Sequence, residues 1–273
     1  MTTAARPAGT LRTAADPRSQ ALLQVSGVSA RFGGVQALQD VSFEVAPHEI
    51  CALIGPNGAG KTTLFNCISR VYDVAAGTIR FDGQEITHVP CHAISGLGIA
   101  RTFQNLGLVP SLSVLSNVML GAHPVVRPSF WRPLVPGSAQ ERRERRARSA
   151  ALEMLEWLGL ADEAQRLTSE LAFGTLKRVE LARALVAQPR LLMLDEPANG
   201  LAHGEVHALA DLILEVRDRF RVAVLLVEHH MQMVLRISER VAVLQLGRLI
   251  AHGTPTAVRA DPAVIAAYLG TGA

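Results

Sequence analysis

Apolar and polar positions alternate along the chain in three recognisable ways. Short unbroken apolar runs stand at Ile50–Ile54, at 191–194 and at 222–227. Runs this short and continuous read as strands buried on both faces, the pattern of a parallel sheet. Strict alternation marks Val41-Ser42-Phe43-Glu44-Val45, which reads as a half-buried antiparallel strand. Leu22, Leu23, Val25 and Val28 open another strand, and residues 77–83 hold a further short one. Helical spacing appears at 61–72, where Leu64, Ile68, Val71 and Tyr72 share a face. It returns at 114–119, at 152–158 up to Gly159, at 176–187, at 206–216 and at 231–240. Residues 241–250 read as a hairpin around Gly247, and 255–269 as a small helical piece.

The order of these elements predicts an α/β fold with a parallel-sheet core. An antiparallel β subdomain stands early in the chain, and a helical subdomain is inserted at about 105–178. One domain is expected over 22–271. Residues 1–21 carry no periodicity and are expected to form a disordered tail. Residues 124–137, with four prolines, read as a loop.

Composition sharpens this only in places. The chain has 273 residues, enough for one large α/β domain or two small ones. Its net charge of +3 is too slight to imply a nucleic-acid partner. The run Glu141-Arg142-Arg143-Glu144-Arg145-Arg146-Ala147-Arg148 reads first as a solvated helix face, with contact to anionic lipid or RNA as the alternative. No apolar run reaches the roughly 20 residues of a membrane-spanning helix. Cys51 and Cys67 lie in apolar runs and read as reduced core thiols.

The chemistry centres on Gly55-Pro56-Asn57-Gly58-Ala59-Gly60-Lys61-Thr62-Thr63, which completes the pattern GxxxxGK[ST]. It follows an apolar strand and opens a helix, the context in which its glycines turn backbone N–H groups toward phosphate oxygens. Lys61 can reach the β- and γ-phosphates, and the Thr62 hydroxyl can bind Mg²⁺. Asp195 and Glu196 end the apolar run 191–194. Beside a phosphate loop, Asp195 is the expected Mg²⁺ partner, and Glu196 is placed to orient or deprotonate a water. Ser169 and Glu170 offer cap chemistry before the helix expected at 176, and Gly174 leaves room at its start, a second possible anion site. Phe32 beside Gly33-Gly34 could stack on an adenine or be an ordinary core residue. Gln104 at a strand-to-helix junction and His229 at a strand end are each weak signals alone.

Together these residues resemble one family. Phe32, residues 55–63, Gln104, Leu171-Ala172-Phe173-Gly174-Thr175, residues 191–196, Gly200-Leu201 and His229 occur in the order seen in ABC-transporter ATPase subunits, over nearly the whole chain from Leu22. Within that family the chain resembles the ATP-binding subunit of branched-chain amino-acid importers, through Ala100-Arg101-Thr102-Phe103-Gln104-Asn105, Leu171-Ala172-Phe173-Gly174 and the tail from Gly253 to Gly270. The resemblance implies a P-loop NTPase fold, ATP and Mg²⁺ as cofactors, and ATP hydrolysis coupled to transport. It implies that Phe32 stacks on adenine and that Gln104 links the γ-phosphate and Mg²⁺ to the helical subdomain. It makes His229 the switch histidine, and residues 171–175 the signature motif that grips the ATP held by a second ATPase subunit. The implied partners are that subunit, two integral membrane permease subunits and a periplasmic or extracellular substrate-binding protein. The implied place is the cytoplasmic face of the plasma membrane, as a peripheral subunit.

The sequence also departs from the family pattern. The family signature is usually Leu-Ser-Gly-Gly-Gln, whereas Ala172, Phe173 and Thr175 replace its Ser, first Gly and Gln. Ala202 stands where an Asp is usual, and His230 where an acid is common. These changes point to a non-identical ATPase partner. Two other readings, an ATPase subunit of a lipid or lipopolysaccharide exporter and a soluble ATPase acting on ribosomes or nucleic acid, share the phosphate loop.

Overall fold

The computed structural model describes residues 21–102, 106–122 and 139–269. Its elements run β1 (Leu23–Phe32), β2 (Val35–Val45), β3 (Ile50–Ile54), α1 (Lys61–Ile68), β4 (Ala76–Phe81), β5 (Gln84–Glu85), α2 (Cys91–Ile94), β6 (Ile99–Arg101) and α3 (Val114–Gly121). They continue with α4 (Ala139–Trp157), α5 (Phe173–Leu185), β7 (Leu191–Asp195), α6 (His203–Phe220), β8 (Ala223–Val227), α7 (Met231–Ile237), β9 (Arg240–Gln245), β10 (Arg248–Gly253), α8 (Pro255–Ala260) and α9 (Pro262–Leu269). The expected tail, the Pro-rich loop at 124–137 and Gln104 lie outside the described residues.

Two sheets organise the chain. One is antiparallel, in the order β2-β1-β4-β5. The other runs β10-β9-β3-β8-β7-β6, with β9, β3, β8, β7 and β6 parallel and β10 antiparallel at one edge. The three unbroken apolar runs form its centre, and every residue of β3, β7 and β8 is buried. Their alternate residues serve different layers. Leu191 and Met193 of β7 face the layer shared with the antiparallel sheet, through Val25, Val41 and Phe65. Leu192 and Leu194 face the layer packed by α3, α4, α5 and α6, through Val118, Leu155, Val179 and Ile213. The helices α3 and α4 and the start of α5 lie between β6 and β7.

The parallel register decides where the loops emerge. Leu53 of β3 pairs with Val227 of β8, and Asp195 of β7 pairs with the same Val227. The segments starting at Gly55, Glu196 and Glu228 therefore leave the sheet side by side at its carboxyl edge, where open α/β sheets place their ligands.

Several boundaries differ from the expected ones, each for a local reason. The helix after the phosphate loop ends at Ile68 rather than at 72. Arg70 turns left-handed at φ 59°, and the N–H groups of Val71 and Tyr72 close back on the Asn66 carbonyl. Leu64 and Ile68 are buried while Val71 and Tyr72 are exposed. The helix expected at 176 begins at Phe173. The helix expected over 231–240 stops at Ile237, because Arg240 pairs with Cys51 as the start of β9. The C-terminal piece is two helices, since Asp261 before Pro262 is extended at ψ 121°. The hairpin turns on Leu246 and Gly247, both left-handed, the geometry that tight hairpins need.

Candidate functional site

The phosphate loop owes its shape to close packing as well as to glycine. Gly55 has φ 149°, and a Cβ there would lie 2.1 Å from the Leu244 carbonyl oxygen of β9. Gly60 has φ 101°, and its Cβ would lie 2.8 Å from the Ala37 carbonyl oxygen. Gly60 is the N-cap of α1 and brings no side chain to the helix end. The N–H groups of that first turn have no partner within the helix and point along its positive end. The Lys61 ammonium folds back over the loop, donating to the carbonyls of Gly55 at 2.7 Å and Pro56 at 3.0 Å. Burial pushes its pKa below the ordinary lysine range, and the nearby charges of Glu196 and Asp195 oppose that shift. Lys61 thus lies within electrostatic reach of both acids. Ala59 is buried against the core, whereas Thr62 is exposed on the first turn of α1 beside half-buried Thr63.

Asp195 ends β7 and is 3% exposed. Its Oδ2 accepts from Arg101 Nη2 at 2.7 Å. Arg101 ends β6, and its Nη1 donates to Asn66 Oδ1 at 2.7 Å and Ser69 Oγ at 2.9 Å, both near the end of α1. One guanidinium thus joins three elements behind the site. Sequence reasoning counted Arg101 only as part of a family stretch. The signal available was its position, directly before Thr102-Phe103-Gln104 and at the end of a strand beside β7.

Glu196 stands in the left-handed region at φ 48°, an uncommon place for a residue with a Cβ. Its N–H donates to the Val227 carbonyl at 2.9 Å, which ties it to β8. His229 is exposed beyond the end of β8, its ring centroid 4.4 Å from that of His230. Between β8 and His229 lies Glu228, which is 1% exposed. Its Oε1 accepts from the Ala198 N–H at 2.8 Å, and its Oε2 accepts from the His229 N–H at 3.0 Å and the His230 N–H at 3.2 Å. His230 Nδ1 lies 3.0 Å from the same Oε2. Glu228 passed unnoticed in the sequence, where it reads as the ordinary polar end of a strand.

Phe32 is 40% exposed at the end of β1 and pairs with Tyr72, ring centroids 4.8 Å apart. The aromatic surface there is double, and the sequence singled out only half of it.

Residues 171–175 stand at the start of α5. Ala172 is the N-cap of α5, so Phe173, Gly174 and Thr175 form the helix's first turn and their N–H groups have no partner within it. The cap position belongs to Ala172, and Ser169 and Glu170 fall in a separate short turn. A Cβ on Gly174 would meet Glu205 Oε1 at 2.9 Å, and one on Gly200 would meet the Phe173 ring at 2.9 Å. Phe173, 45% exposed, therefore seats against the loop that follows Glu196. Lys177 lies over its ring at 5.3 Å. A cleft of about 660 Å³ runs between α5, α6 and the end of β7, lined by Ala172, Gly174, Thr175 and Asp195 among others. Ala202 has no side-chain cap to offer α6, but Glu205 Oε2 accepts its N–H at 2.8 Å.

The sites expected at 55–63, Asp195, Glu196 and His229 therefore meet at one sheet edge, while 171–175 form a separate helix start. Among the described residues no helix is long and apolar enough to cross a membrane.

Comparison with known proteins finds relatives over most of the chain. Residues 38–199 match the ABC transporter family, and residues 248–273 match the branched-chain amino acid ATP-binding cassette transporter family. The chain is 42% identical over 252 residues to the high-affinity branched-chain amino acid transport ATP-binding protein LivG of Escherichia coli K12, covering 92% of this chain and 99% of that one. It has the same identity and coverage with BraF of Pseudomonas aeruginosa, which carries the same description. The structure of MJ1267 in its ADP conformation, an ATP-binding cassette of an ABC transporter, superposes with a TM-score of 0.78 at 29% identity, covering 92% of this chain and 100% of that one. The chain belongs to the ABC transporter family as an ATP-binding subunit, among the branched-chain amino acid transport ATP-binding proteins.

Proposed function

We propose that this subunit hydrolyses ATP in a site shared with a second ATPase subunit, and that the cycle drives import of branched-chain amino acids through separate membrane subunits. The observation that carries the reading is the convergence of residues 55–63, Asp195, Glu196 and His229 at one sheet edge, with Lys61 in electrostatic reach of both acids. The C-terminal match, whose family is described by that cargo, supports the choice of amino acid.

In this reading the first turn of α1 and Lys61 hold the β- and γ-phosphates, and Lys61 exchanges its two loop carbonyls for phosphate oxygens. Phe32 and Tyr72 cover the adenine. Thr62 and Asp195 offer a hydroxyl and a carboxylate, oxygen donors of the kind Mg²⁺ selects, with Gln104 as a third. Held by these groups, Mg²⁺ would supply charge neutralisation on the phosphates. Glu196 orients the attacking water and takes its proton, and His229 contacts the γ-phosphate. The first turn of α5 grips the γ-phosphate of the ATP held by the other subunit. It does so without the Ser hydroxyl and Gln amide usual there, so the ATP it faces turns over slowly. The partner is therefore a non-identical chain with an intact signature. Helices α3 and α4 and the start of α5 form the helical subdomain that meets the membrane subunits, and Gln104 links it to the γ-phosphate and Mg²⁺. The subunit works at the cytoplasmic face of the plasma membrane, supplied by a substrate-binding protein on the other side.

The test is transport. The subunit is purified with the membrane proteins that accompany it, reconstituted in lipid vesicles, and given a binding protein and radiolabelled leucine. ATP-dependent uptake that is lost with Lys61→Ala supports the reading. Co-purification of RNA or ribosomes without membrane subunits, or lipid export in place of leucine uptake, overturns it.

A further inference from the structure

Glu228 is one of the few buried acids among the described residues, and the site described above gives it no chemical step. A buried carboxylate is costly unless its oxygens are satisfied. Here both are used, and on different segments. Oε1 holds the Ala198 N–H, in the loop that follows Glu196. Oε2 holds the N–H groups of His229 and His230 and faces His230 Nδ1. The two segments leave neighbouring strands, and the bond from the Glu196 N–H to the Val227 carbonyl also joins them at their roots. Glu196 is thus fixed on both sides, through its own N–H and through Ala198 two residues on. Its left-handed φ of 48° needs such support, because surroundings must over-determine a backbone held in a sparsely populated region. His229 hangs from the same carboxylate by its own N–H.

We infer that Glu228 is a positioning residue that sets Glu196 and His229 in register with each other, acting through the backbone of Ala198 on one side and of His229 and His230 on the other. This rests on the proposed roles of Glu196 and His229. Glu228 itself touches neither nucleotide nor water in this scheme. His230 belongs to the device. Its ring supplies a further contact to Oε2, a role that gives meaning to a histidine where the family commonly has an acid.

Glu228→Gln should fail in a defined way. The amide keeps the shape, but one of its two ends carries N–H donors instead of an acceptor. Either the Ala198 N–H or the pair from His229 and His230 then faces a donor. The contacts of Lys61, of the first turn of α1 and of the adenine-facing aromatics are untouched, so most of the ATP affinity stays and turnover suffers.

The experiment compares wild type, Glu228→Gln, His229→Ala and the double variant in the complex purified with the full chain, with Glu196→Gln as control. Steady-state hydrolysis gives kcat and KM, and residual rates are read with radiolabelled ATP. Expected is a fall in kcat of about tenfold or more for Glu228→Gln with KM for ATP within about threefold, in a complex that still folds and assembles. In the His229→Ala background the same change costs much less than it does alone, since groups acting as a unit are non-additive. Wild-type kcat, or an equal loss in both backgrounds, overturns the inference. If Glu228→Gln does not fold, His230→Ala replaces it: a fall in kcat of about threefold at unchanged KM supports the inference, and wild-type kcat overturns it. The reading of the site fails separately, and visibly, if Glu196→Gln and His229→Ala both hydrolyse ATP at the wild-type rate.

Discussion

Arg101 holds Asp195 across two neighbouring strand ends, Nη2 to Oδ2 at 2.7 Å, with the acid 3% exposed and the base 11%. The pair anchors the acid expected to serve the metal, and the same guanidinium anchors the end of α1. Removing one partner of a buried pair leaves a charge without compensation, which costs about 3 kcal/mol or more. Arg101→Ala should lower stability by about that amount in urea denaturation and reduce ATP hydrolysis at least tenfold. Arg101→Lys should recover only part of either, because an ammonium cannot span Asp195, Asn66 and Ser69 as a planar fork does. Adding Asp195→Asn to Arg101→Ala should restore some stability and no activity. Additive losses of stability would contradict the pairing.

Gly55 admits no side chain. The Leu244 carbonyl stands 2.1 Å from where a Cβ would be, and both are backbone positions in the core of the sheet edge. Gly55→Ala should therefore cost about 2 kcal/mol or more and abolish binding of a fluorescent ATP analogue. Gly58→Ala meets nothing within 4 Å and is strained only by its φ of 77°. It should cost about 1 kcal/mol and retain measurable nucleotide binding. A smaller loss for Gly55→Ala than for Gly58→Ala would contradict the packing argument.

The sheet was largely legible in advance, because β3, β7 and β8 are unbroken apolar runs and nothing else suits such short ones. Residues 55–63 and Asp195-Glu196 stood out because their chemistry is local, set by neighbours in sequence. The misses share a different cause. Arg101 and Glu228 act through partners far along the chain or through backbone N–H groups, and their sequence neighbours do not say which partners those are. Tyr72 reads from sequence as part of a helix stripe, since nothing local announces the left-handed Arg70 that ends α1 early, whose guanidinium reaches the distant Val89 carbonyl as well as nearby Asp73. The start of α5 was placed three residues late because Ala172 is a poor cap by its type and serves by position alone.

His252 of β10 should give the protein an acid-sensitive edge. Burial pushes its pKa below the ordinary 6.5, Arg240 pushes the same way, and Glu44 opposes. The unfolded imidazole gains its proton near pH 6.5, while the folded one gains it only at lower pH. The unfolded state therefore binds more protons as pH falls below 6.5, and stability falls with it. Above 6.5 the contribution is complete. The urea midpoint should drop between pH 7.5 and 5.5. His252→Leu, which keeps an apolar group beside Phe43, should flatten part of that slope. An unchanged slope would contradict the assignment.

The three thiols should separate by exposure. Cys91 is exposed, and Cys51 and Cys67 are buried. Burial pushes the Cys67 thiol up to about 11 and Cys51 further in the same direction. The thiolate is the reactive form, so at pH 8 iodoacetamide should label Cys91 alone in the native protein and all three thiols in guanidinium. Peptide mass mapping reads the result, and rapid native labelling of Cys67 would place α1 wrongly.

The account's central claim is that this chain's own phosphate loop and Glu196 form the hydrolytic half of the shared ATP site. The direct measurement is steady-state ATP hydrolysis by the assembled complex carrying Glu196→Gln in this subunit alone. The account predicts a rate at least tenfold below wild type with ATP still bound. Wild-type hydrolysis in that complex would contradict it.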